Sequence, residues 1–166
     1  MTKFLLSVHV LAAILAIGPI TVAASMFPRF VRTPDADGDG PPGQNLRTAG
    51  LLHRVCRGYT VLGVAVPVFG VATGARLGVL TDAWLLVSIA LTAAAAALLL
   101  LVILPGQQRL LPAAAGEADS VAGGPGAAEA RRAGAARLAM VTGIFNLLWA
   151  VVVVLMIVRP GSTTGA

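Results

Sequence analysis

The chain has 166 residues, of which 57% are hydrophobic and only 11% charged, and its mean hydropathy is +0.88. Soluble domains are about one quarter charged, so this composition excludes an ordinary soluble fold. Lys and Arg number 12 against 7 Asp and Glu, a formal net charge of +5. The basic residues flank apolar runs, and no basic stripe with interleaved aromatics points to nucleic acid.

Gaps between charges mark the spans. Residues 4–28, 58–75, 83–108 and 138–158 carry no Asp, Glu, Lys or Arg. A bilayer core needs about 20 apolar residues at a rise of about 1.5 Å each, so each gap corresponds to one membrane helix. The second gap is the shortest. Starting that helix near Ala49 puts His53, Arg54 and Arg57 in its first turns, where long basic side chains reach lipid headgroups. The predicted helices run over about 4–28, 49–75, 83–108 and 138–158.

The first run follows Lys3 and contains Val22-Ala23-Ala24, which imitates a cleaved signal peptide. Signal apolar regions are about 7–15 residues long, so the length favours a retained helix. Between the second and third spans lie only residues 76–82, enough for a tight antiparallel turn in which Thr81 or Asp82 caps the next helix. Segments 33–44 and 111–134 are rich in Ala, Gly, Pro and acid and poor in large apolar residues, so both are expected as disordered loops. Residues 129–137 can extend the last helix beyond the bilayer, with Arg131, Arg132 and Arg137 against anionic lipid.

Nine of the basic residues (Arg29, Arg32, Arg47, Arg54, Arg57, Arg109, Arg131, Arg132 and Arg137) fall on one side of this layout. Lys3, Arg76 and Arg159 fall on the other. Positive charge stays in the cytoplasm, so both termini are expected outside.

Few residues carry chemistry. Cys56 is the single cysteine, which forbids an internal disulfide. Asp35-Ala36-Asp37-Gly38-Asp39-Gly40 begins like a calcium loop, but the position of the closing acid is Leu46. Gly123-Gly124-Pro125-Gly126 lacks the lysine of a phosphate loop. The Gly70, Gly74, Gly78 spacing is one used in helix association.

His9 lies two turns inside the first helix, and Ala12, Ala13 and Ala16 share its face, so it is expected to point into the bundle. Two readings stand: a neutral imidazole bonded to a neighbouring hydroxyl or carbonyl, or a ligand or proton-handling group. Pairing His9 with His53 as axial ligands of one haem fails on depth. In an antiparallel hairpin His9 lies level with about Gly70, roughly 25 Å from His53 along the membrane normal. His53 is instead expected with Arg54 and Arg57 as a lipid-interface cluster. Asn146 and Thr92 fall near the middle of their helices, and Pro67 frees the carbonyl of Gly63 as Pro19 frees that of Leu15. These groups are expected to be structural polar contacts between helices.

The run Lys3-Phe4-Leu5-Leu6-Ser7-Val8-His9-Val10-Leu11, then Gly18, with Leu51-Leu52-His53-Arg54 opening the second helix, resembles the bacterial integral-membrane family called domain of unknown function 2269. More distantly, a helix-1 histidine followed by glycine is similar to the copper-resistance-D and protoporphyrinogen-oxidase-J groups. In the latter, haem is associated with a comparable helical bundle. Those groups carry an aromatic residue near the glycine, where this chain has Ala16-Ile17-Gly18.

The expectation is therefore an all-α integral-membrane four-helix bundle, N-out and C-out, in a bacterial inner membrane. Its expected role is that of a non-enzymatic or accessory membrane component without a catalytic residue or bound metal. The alternative, implied by the resemblance, is a haem- or copper-associated redox protein in which His9 holds the cofactor. Expected partners are the bilayer and its anionic headgroups, with a membrane-protein partner or a homo-oligomer left open.

Overall fold

The computed structural model describes residues 2–33, 43–63, 65–119 and 125–161. Among them, all regular structure is helical: α1 (Thr2–Arg32), α2 (Gln44–Gly63), α3 (Ala65–Leu77), α4 (Ala83–Ala97), a π-helical segment (Leu98–Ile103), α5 (Leu104–Asp119) and α6 (Pro125–Val158). These make four helical rods long and apolar enough to cross a membrane: Lys3–Arg32, Gln44–Leu77, Ala83–Ala115 and Gly126–Val158. The protein is a multi-pass membrane protein with an all-α four-helix bundle.

The rods alternate in direction. Asn45 meets Thr33 and Val66 meets His9, so α1 is antiparallel to α2–α3. His53 meets Gln107 and Gly74 lies against Leu85, which sets the third rod antiparallel to the second. Gly106 lies against Leu138, and Arg159 lies over the Trp84 ring, 5.8 Å from its centroid. The fourth rod thus returns along the third and closes against α1.

One apolar core runs between the rods, with Ile20, Phe27 and Val31 of α1 packed with Ile103 and Phe145. Leu11, Leu101, Leu147 and Ile157 are among the large apolar residues on the outside, the surface that acyl chains solvate.

A proline explains where the third rod changes geometry. α2 and α3 belong to one rod, Gln44–Leu77, in which residue 64 lies outside the described residues. Pro105 follows the π-helical segment. Its ring would collide with the carbonyl four residues back, and here the Leu104 N–H bonds the carbonyl of Leu99, five back. Asp82 does stand at the N-cap of α4, with extended backbone, but its side chain makes no capping bond. Its carboxylate accepts from Trp84 Nε1 at 3.1 Å instead.

The expected loop over 111–134 is corrected. Residues 111–119 belong to α5 and 125–134 to α6, leaving 120–124 outside the described residues. Alanine is the best helix former, and here small size also serves packing: Ala114 and Ala135 are buried in the core. The second helix begins earlier than the expected Ala49. Gln44 opens α2, and the described flanks of the loop are Thr33 and Gly43. The Asp35–Asp39 run lies outside the described residues.

Candidate functional site

His9 sits on the inner face of α1 with Ala16, which is 1% exposed. Its Nδ1 lies 2.9 Å from the Val66 carbonyl oxygen. A carbonyl only accepts, so Nδ1 donates, and in the neutral ring the lone pair is on Nε2. The ring lies on Gly70: a Cβ added there would be 2.9 Å from His9 Cε1. Gly74 admits Leu85 in the same way, at 2.9 Å from its Cδ2. The glycine spacing therefore serves contacts within the chain, and Gly78, with φ +70, forms the turn that follows.

His53 departs from the expected lipid interface. It is 8% exposed, and its Nδ1 donates to Gln107 Oε1 at 2.9 Å. Gln107, fully buried, donates from Nε2 to Cys56 Sγ at 3.6 Å, and the thiol reaches the Ile20 carbonyl at 3.9 Å. This relay joins α5, α2 and α1. Arg54 and Arg57 are exposed, as an interface position requires. The reason is angular: Ala49, His53 and Cys56 are all buried and fall at helical spacing on one face of α2, and the arginines do not.

Asn146 joins α6 to α1 through Nδ2 and Ser25 Oγ, 3.0 Å apart. It bonds across helices, as the sequence led us to expect, but not with Thr92 or the Gly63 carbonyl. Thr92 Oγ1 donates to the Ser88 carbonyl of its own helix at 2.8 Å. Thr142 Oγ1, Asn146 Oδ1 and Trp149 Nε1 are buried without a hydrogen-bond partner among the described residues, while the Trp149 ring meets Phe145 edge-on at 6.4 Å.

At the arginine-rich end, the carbonyls that the α1 C-terminus leaves without helical partners are capped from two other helices. Arg131 of α6, 7% exposed, donates from one guanidinium nitrogen to the Val31 carbonyl and, at 2.9 Å, to that of Arg32. Asn45 Nδ2 donates to the Thr33 carbonyl at 2.6 Å. Arg131, expected against lipid, is thus an interior group, whereas Arg132 and Arg137 are exposed.

The two histidines are not brought together. His9 packs at Gly70, and His53 lies seventeen residues earlier along α2–α3, roughly 25 Å at the helical rise. Among the described residues no group of three or more His, Cys, Asp or Glu is placed to hold a metal ion. Each histidine has one ring nitrogen held by a bond, His9 to Val66 and His53 to Gln107, and the two lie too far apart to share an ion, so the fit of His9 to a haem or copper reaches one ligand and no further. Sequence reasoning missed Gln107, Ser25 and the Val66 carbonyl. Gln107 had one visible signal, a polar amide following a long charge-free run.

No family model matches the chain, and neither a curated protein nor a solved structure matches it.

Proposed function

We propose that this protein is a non-enzymatic accessory component of a bacterial cytoplasmic membrane, with both termini outside. One observation carries the reading: four groups of interior polar side chains join one helix to another. His9 links α1 to α3, the His53–Gln107–Cys56 relay links α2, α5 and α1, and Asn146 and Arg131 link α6 to α1. Such bonds hold a bundle together without performing a reaction. The resemblance to the family of domain of unknown function 2269 is in keeping with this role, and the nine-to-three distribution of basic residues supports the orientation.

A second reading has a specific observation behind it. Histidines that bind metals characteristically donate their other ring N–H to a backbone carbonyl, as His9 does to Val66. On that reading His9 Nε2 holds haem or copper.

Purification in mild detergent separates the two. The accessory role predicts a colourless protein that elutes with a second membrane protein at fixed stoichiometry. A Soret band or one bound copper per chain, lost in His9→Ala, would replace it with the second reading.

A further inference from the structure

We propose that the cleft between α2 and α5 is a binding site for the headgroup of an anionic phospholipid. The cleft, about 510 Å³, is lined by Leu46, Arg47, Gly50, Leu51 and Arg54 of α2 and by Leu111, Pro112 and Ala115 of α5. It rests on the membrane assignment alone, so it stands or falls independently of the accessory role.

Arg47, Gly50, Leu51 and Arg54 occupy positions i, i+3, i+4 and i+7, which is one face of a helix. The two guanidinium groups therefore spring from points roughly 10 Å apart along the axis, at two depths on one wall. Arg57 lies off this face and does not line the cleft. Among the described residues, neither Arg47 nor Arg54 has a hydrogen bond or ion pair from its side chain, and the lining holds these two cations and no carboxylate. Arg47 also stands in the first turn of α2, where the helix dipole is positive.

The remaining walls decide what kind of anion. Leu46, Leu51, Leu111 and Pro112 are apolar, a poor match for a fully hydrated phosphate but a good one for a phosphodiester attached to glycerol and acyl chains. Gly50 keeps the middle open: a Cβ built there meets nothing within 4 Å. The cleft that holds Arg29 and Arg32 differs. It sits beside the end of α1, where the dipole is negative, and its apolar lining is only Pro28 and Ala139.

The test is thermal unfolding in detergent micelles with added short-chain phosphatidylglycerol, phosphatidylcholine or inorganic phosphate. Phosphatidylglycerol should raise the Tm by about 5 °C more than phosphatidylcholine, the scale expected when the lipid is well above its Kd. Gly50→Leu, which adds bulk at a wall of the cleft where a Cβ meets nothing within 4 Å, should abolish that difference, as should R47Q with R54Q. R132Q with R137Q, two exposed arginines at the same end, should retain it. Equal shifts with both lipids would overturn the proposal, and so would reproduction of the shift by inorganic phosphate, which makes it a free-anion site. Loss of the difference in R132Q/R137Q to the same extent would replace the site with diffuse surface charge. If Gly50→Leu fails to fold, the arginine pair decides.

Discussion

The imidazole of His9 donates from Nδ1 to the carbonyl oxygen of Val66 at 2.9 Å, a bond between the first and second rods that is possible only because Gly70, one turn on, has no side chain. A methyl group at Gly70 would come within 2.9 Å of the ring.

Gly70→Ala should therefore displace His9 and destabilise the bundle by about 1–3 kcal/mol, the usual scale of overpacking. His9→Ala should relieve most of that loss when combined with it. A four-variant cycle of detergent melts reads the coupling, and additive effects of the two changes would contradict the contact.

Gln107→Leu should cost about 1–3 kcal/mol, because it strands the buried His53 N–H while removing the donor to Cys56. Replacing His53 as well, in His53→Leu/Gln107→Leu, should cost less than Gln107→Leu alone, since no polar group is then left without a partner. A double variant weaker than the single one in urea or thermal unfolding would show that the relay is not what matters there.

Arg131→Met should lower stability by about 1.5–3 kcal/mol, the range for bonds from a charged donor, whereas Arg132→Met should leave it nearly unchanged. Arg131→Lys should recover only part, because an ammonium lacks the planar fork of the guanidinium. Equal melting temperatures for the Arg131 and Arg132 variants would remove the cap from the account.

Asn146→Leu should cost only ~0.6 kcal/mol, the average for a polar bond between membrane helices, and Ser25→Ala should do about the same. Asn146→Asp should be worse, by ~2.5–3.5 kcal/mol if the carboxylate is charged at the bilayer centre. Aspartate and leucine variants of equal stability would place the residue outside the apolar layer.

Reporter fusions at Gly40 and Gly124 should read cytoplasmic and one at Gly161 external. The reverse pattern overturns the orientation argued from arginine placement.

The spans were legible because charge is costly in hydrocarbon, so charge-free gaps locate them directly. Their ends were not, since helices continue past the bilayer. Gln44–Thr48 and Arg109–Asp119 are helical although polar or rich in alanine, and counting charges stops too early at such residues. The level of His9 with Gly70 followed from antiparallel counting, because the first two rods cross the same apolar layer in opposite directions. Which residues face one another across the third rod did not follow. The π-helical segment Leu98–Ile103 departs from the 3.6-residue turn that relates positions on a regular helix, so the sequence pattern before it does not place Gln107 opposite His53. Thr92 was misassigned for a simpler reason: a threonine hydroxyl can satisfy itself on the carbonyl four residues back, and here it does.

The Arg131 cap has a consequence for biogenesis. The carbonyl of Val31 is closed by a residue one hundred positions later in the chain, on a helix made after the intervening rods. The first helix therefore waits in the membrane with an unfinished end while the second and third are inserted. A chain truncated before α6 lacks the guanidinium that closes the Val31 and Arg32 carbonyls, so its defect is felt at the far end of the sequence, on α1.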